Sequence, residues 1–187
     1  EELKLLIDKA INDEKKSVVA KRVKRSEGVF FQLLYQIHKI ITFVFTGKNI
    51  NFGNYSCLTK NDVEILSSKS SLWSSFSGSL KYHVSQLNSV NSIRGLRYVG
   101  PSKMSLLNLV IHSFSIIAVF KKTVFLRSAI IIIVASYFTP KFGMAVISAQ
   151  ILLVIFNLMI FIVSLRENEK NFKNADLNKE SSNLFTH

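Results

Sequence analysis

The chain has 187 residues, with 24 Lys and Arg against 12 Asp and Glu, a formal net charge of +12 and 48% hydrophobic residues. It is long enough for one domain plus an accessory element but short for a complete two-substrate enzyme. The single cysteine, Cys57, excludes an intrachain disulfide and gives no sign of an oxidising compartment.

In chain order, Leu3, Leu5, Leu6, Ile7, Ala10 and Ile11 recur among charged residues and predict a helix over residues 1–16. A chain that starts inside an amphipathic element, with no initiator Met and no signal-peptide pattern, reads as a fragment. Ser17 to Ala20 predicts a short buried strand, and Lys21, Arg22, Lys24 and Arg25 a basic loop that ends at Gly28. Val29 to Thr46 predicts a long apolar helix stopped by Gly47. Its length is close to that of a membrane span, but Gln32, Gln36, His38 and Lys39 interrupt it, which favours an interfacial or groove-lining helix. Residues 49–59 read as extended, and Asn61 as the cap of a short helix from Asp62 to Ser68. The Ser-rich residues 67–80 read as a loop with Leu72, Trp73 and Phe76 tucked beneath it, and Val84 to Tyr98 contains a strand broken off by Gly100-Pro101.

The character changes at Met104. Residues 104–122 mix apolar side chains with Ser105, Asn108, His112, Ser113 and Ser115, and predict an amphipathic helix lying in a membrane interface and ending at Lys121-Lys122. Residues 123–165 predict a two-helix transmembrane hairpin: Thr123 to Thr139, then a tight turn at Pro140 to Gly143, then Met144 to Leu165. Arg127 sits where a long side chain can snorkel to headgroups. Gln150 and Asn157, on one helix face, predict bonds to the neighbouring helix. The basic residues cluster at the entry side of the hairpin, so the positive-inside rule puts that side and both chain ends in the cytoplasm. Residues 166–187 balance four basic against four acidic residues and read as a disordered tail.

From Gly28 to Arg127 the only acids are Asp62 and Glu64, against eleven Lys and Arg. Such a field attracts nucleic acid, anionic headgroups or phosphorylated substrates, and its union with apolar helices selects the latter two. Nucleic acid is the weakest reading, because the aromatics fall in apolar runs rather than among basic residues. The most informative stretch runs from Arg94 through Arg97 to Ser102 and Lys103. Two guanidiniums, a glycine turn, a hydroxyl and an ammonium suit phosphate oxygens; a patch that merely holds anionic lipid is the alternative. No His or Cys spacing reads as a metal site.

The order Arg97-x-x-Gly100-x-Ser102-Lys103, an amphipathic helix and then paired apolar helices resembles the end of the catalytic domain in polyprenyl-phosphate glycosyltransferases of family 2, the relatives of dolichol-phosphate mannosyltransferase. The opening Glu-Glu-Leu-x-x-Leu-Ile resembles the helix after that family's Asp-x-Asp motif. Ala20 to Arg25 resembles its arginine-bearing strand end, and Gly53-Asn54-Tyr55-Ser56 its acceptor-side segment. The resemblance implies an α/β fold, the second half of a Rossmann-like GT-A domain over residues 1–103. It also implies inverting transfer of a sugar from a nucleotide-sugar to a lipid phosphate in a membrane, such as a bacterial inner membrane, with a divalent metal (Mg or Mn) whose ligands would lie upstream of Glu1. Under it, Arg97, Ser102, Lys103 and Arg94 hold phosphate, while Arg22 and Arg25 approach from the other side. The sequence departs from many relatives in carrying Asn54 in place of an acid, and an amide cannot serve as a base. The competing reading is a non-catalytic basic membrane protein that binds anionic lipid or a partner.

Overall fold

The computed structural model describes residues 2–12, 16–24, 29–93, 105–170 and 172–174. Its elements are α1 (Glu2–Asn12), β1 (Ser17–Lys24), α2 (Val29–Thr46), β2 (Phe52–Cys57), α3 (Lys60–Ser67), a 3-10 turn (Ser70–Trp73), α4 (Phe76–His83), β3 (Leu87–Ile93), α5 (Leu106–Ala118), α6 (Lys121–Tyr137), α7 (Thr139–Phe142) and α8 (Met144–Ser164). The chain is therefore mixed α/β and mostly helical, with a small three-stranded sheet ordered β2-β1-β3.

β1 is the middle strand, antiparallel to β2 and parallel to β3. Val18 and Ala20 turn to one face, where Leu6 of α1 covers them with Ala10, Cys57 and Val90 alongside. Val19 turns to the other face and enters a larger core, as the two-residue alternation of a strand requires. The strand does not stop at Ala20. Lys21, Arg22 and Lys24, read from sequence as loop, stay in the ladder opposite Asn91, Ser92 and Ile93. Pairing along the whole of β3 supplies what the side chains do not, and bulges after Val19 and after Arg22 bend this end of the strand.

The larger core joins the sheet to the helices. Val19, Ile50, Phe52, Leu66, Leu80 and Val84 belong to one cluster with Ile116 to Phe120, Val124 and Ile160. α5 is built into this core at its carboxyl end. The first half of α5 exposes Leu106, Leu107 and Val110, but Ser115 to Phe120 are buried, and Lys121 begins α6 rather than ending α5. The Ser-rich stretch is also no loop. Ser75 caps α4 by accepting from the Gly78 amide, and Ser77, Gly78 and Ser79 are buried. A Cβ at Gly78 would lie 3.1 Å from the Ile116 carbonyl oxygen, so small residues here are what let α4 lie close to α5. Trp73 is 47% exposed instead of tucked under. Thr59, not Asn61, caps α3 through the Asp62 amide.

α6 and α8 pack side by side with α7 as their connection, in place of a tight turn. Gln150 bridges them as expected, donating to the Ile132 carbonyl oxygen at 3.2 Å and to Ser136 Oγ at 2.9 Å. Asn157 does not: its amide returns to Leu153 O on its own helix. Among the described residues one helix, α8, is long and apolar enough to cross a membrane, with a mean hydropathy of 2.7 and only 6% of that window buried in the protein. Arg127 has partners within the protein. Its Nη1 donates to Val44 O at 2.8 Å and reaches Phe43 O at 3.5 Å, at the carboxyl end of α2. There Gly47 turns the chain at φ 70°, and any side chain would meet the guanidinium. The start of the expected disordered tail is docked: Glu167 accepts from Lys121 Nζ at 2.7 Å, and Phe172 stacks edge-on against Trp73. The rest of that tail, residues 175–187, lies outside the described residues.

Candidate functional site

Of the residues singled out for phosphate, Arg94, Arg97, Ser102, Lys103 and Arg25 lie outside the described residues. β1 and β3 are parallel neighbours, so both strands end on the same edge of the sheet, at Lys24 and Ile93. Arg22 stands opposite Ser92, and Lys24 opposite Ile93. The antiparallel partner arrives at this same end: Phe52, the first residue of β2, pairs with Lys21. The carboxyl end of a parallel strand pair is where open α/β sheets take their ligands, since the loops that follow can reach one another there.

The segment read as lining the acceptor side is β2 itself. Gly53 follows Phe52, and Asn54 and Tyr55 are exposed; Ser56 pairs with Val19, nearer the amino end of β1. Asn54 and Tyr55 thus sit on an edge strand, open to a ligand approaching from the side. The bulge between Val19 and Lys21 in the β1–β2 pairing shifts which face each of these residues meets.

Asp62 and Glu64 are engaged elsewhere. Asp62 is buried and accepts a short hydrogen bond from Ser17 Oγ, which in turn accepts from the Thr59 amide, tying β1 to the start of α3. Glu64 lies 4.0 Å from Lys60 on the exposed side of α3. Among the described residues no three His, Cys, Asp or Glu side chains gather to hold a metal ion. The divalent ion implied by the resemblance therefore finds no fitting ligand set there.

A second polar cluster, missed in the sequence, joins the 3-10 turn to α4. Ser71 Oγ lies 2.8 Å from Ser79 Oγ and 3.1 Å from His83 Nε2, and the Tyr82 ring stands edge-on to His83 at 4.9 Å. Burial pushes the His83 pKa below the ordinary histidine value, Lys69 pushes it the same way, and Glu167 opposes them. A helix turn separates Ser79 from His83, so the pair was legible as spacing, but Ser71 reaches it only through the fold. The cluster fastens α4 to the turn before it.

No family model matches this sequence, and no curated protein or solved structure matches it either.

Proposed function

We propose that the chain is the membrane-bound portion of a family 2 glycosyltransferase that moves a sugar from a nucleotide-sugar to a polyprenyl-phosphate-type lipid. One observation supports the reading: β1 and β3 are adjacent parallel strands, so the strands that precede the two basic segments in the sequence (Arg25, and Arg94 to Lys103) end on one edge, in one structure with the apolar helix α8. Phosphate chemistry at a sheet end and a lipid-facing helix in one core suit a substrate with a charged head and a long apolar chain.

In the proposed reaction an oxygen of the lipid phosphate attacks the anomeric carbon of the donor sugar from the side opposite the nucleotide. The new bond is anomeric carbon to phosphate oxygen; the broken bond is anomeric carbon to diphosphate oxygen, and the nucleoside diphosphate leaves with that electron pair. The nucleophile is already an anion, so no dedicated base is needed, and Asn54 in place of an acid is compatible with that. Arg97, Ser102 and Lys103 hold one set of phosphates, with Arg94 beside them; Arg22 and Arg25 face the charge that builds on the leaving group. A divalent ion would share that charge, from ligands other than the described residues, and no step is derived through it. The catalytic part and both chain ends lie on the cytoplasmic side, with α6 and α8 as the membrane hairpin.

A second reading, a non-catalytic basic membrane protein that binds anionic lipids or a partner, is favoured by the extent of α8's exposure, which needs only lipid to cover it. The two readings part on charge-conserving exchanges. With the full chain in lipid nanodiscs, binding of a polyprenyl monophosphate should fall about tenfold or more in Arg97→Lys, because a fork that grips two oxygens becomes a point charge. Unchanged binding in Arg97→Lys and Lys103→Arg would mean that only total charge counts and would favour the lipid-binding reading.

A further inference from the structure

α2 presents three distinct faces. Leu34, Ile41, Thr42 and Phe45 are turned toward the protein, and Phe45 meets Phe156 of α8 with ring centroids 4.6 Å apart. A second face carries Gln32 and Gln36, both exposed, and the half-buried Lys39, whose ammonium lies 5.8 Å from the Tyr35 ring. The third face is an unbroken apolar stripe of Leu33, Ile37, Ile40 and Val44, every one of them exposed. At 100° per residue these four fall within about 60° of arc, which makes a narrow, straight ridge.

We propose that α2 lies in the plane of the membrane, with this stripe sunk into the acyl chains of the leaflet that α8 meets at its Ser164 end. The inference rests on the membrane reading of α8 and extends it to a helix in the α/β half. Depth supports it. α2 meets α8 at Phe156, about eight residues from Ser164, which at 1.5 Å per residue is ~12 Å along the helix. A headgroup-level base at Ser164 and Lys121 therefore brings α2 to the boundary between headgroups and acyl chains, the depth at which in-plane amphipathic helices settle.

Continuity and charge favour the same occupant. Arg127 of α6 grips the Val44 carbonyl, so the stripe ends against a helix whose Leu126, Ile130 and Ile133 are themselves exposed. α2 contains no acid, its polar face carries Lys39, and Lys48 follows directly, which suits anionic headgroups. A spanning role would drag Gln32, Gln36 and Lys39 through the hydrocarbon core; the in-plane role leaves them among headgroups.

The test uses the full chain with Cys57→Ser, reconstituted in vesicles of phosphatidylcholine and phosphatidylglycerol, with an environment-sensitive fluorophore on one introduced thiol per variant: Gln36→Cys, Ile37→Cys, Ile40→Cys or Ile151→Cys. Probes at 37 and 40 should be quenched several-fold more by lipids bearing a nitroxide near the glycerol backbone than by aqueous iodide. The probe at 36 should show the reverse. The probe at 151, on α8, reports the hairpin separately and should respond to a nitroxide deep in the acyl chain. Lipid quenching at 151 with iodide quenching at 37 and 40 would overturn the in-plane helix and leave the membrane hairpin standing. Protection of 37 and 40 from both quenchers would overturn it in favour of a second copy of the chain on the stripe. Iodide quenching at all positions would remove both readings.

Discussion

Replacing Leu80 with Ala tests whether the sheet and the long helices are one folding unit. Leu80 is fully buried on α4, in the cluster that contains Val19 and Phe52 on the sheet side and Ile117, Val124 and Ile160 on the helical side. The substitution removes three carbons, roughly 2–3 kcal/mol of lost transfer free energy. The cavity left between sheet and helices brings the total to ~3–5 kcal/mol. The assay is hydrogen exchange of the reconstituted chain, read separately at Val18 to Ala20 and at Ile116 to Phe120. At about 1.4 kcal/mol per decade, protection should fall roughly a hundredfold or more in both segments together. Loss of protection in β1 with none in α5 would refute the single core, and would mean a sheet domain and a separate anchor that merely touch.

Two further outcomes follow from particular contacts. Arg127→Met removes a charge-assisted bond from the end of α2 and should cost ~1–2 kcal/mol, read as faster exchange at residues 44 to 48; Arg127→Lys should recover part of it through the helix dipole. His83 binds its proton less readily folded than unfolded, because burial lowers its pKa from 6.5. The folded state therefore loses stability as pH falls through about 6.5 and below, and thermal unfolding in detergent should show a flatter acid limb in His83→Gln between about pH 7 and pH 5. An unchanged limb would remove His83 from the pH response.

Much of the fold was legible where one physical signal dominates. α2 is bounded by an apolar run and a glycine that alone tolerates its φ, and the length and apolarity of α8 are independent of its neighbours. Errors arose where a partner distant in sequence decides. Lys21 to Lys24 read as loop because three of the four residues are basic, yet β3 holds them in the ladder. Ser75 to Ser79 read as loop because serine is common there, yet small side chains serve a close helix contact. The contacts of Arg127 with the carbonyls of Phe43 and Val44 were not legible, because those partners lie more than eighty residues away. The phosphate reading rests on residue types, two guanidiniums and an ammonium before a helix, whereas the common edge at which β1 and β3 end is a property of strand order and emerges only from their parallel pairing.

The most direct measurement is made on membranes of source cells with and without the gene, supplied with radiolabelled nucleotide-sugars and extracted into organic solvent. The account predicts that one labelled lipid, released by mild acid as free sugar and polyprenyl phosphate, disappears with the gene and returns when it is restored, but not when it is restored with Arg97→Lys. An identical set of labelled lipids with and without the gene would contradict it.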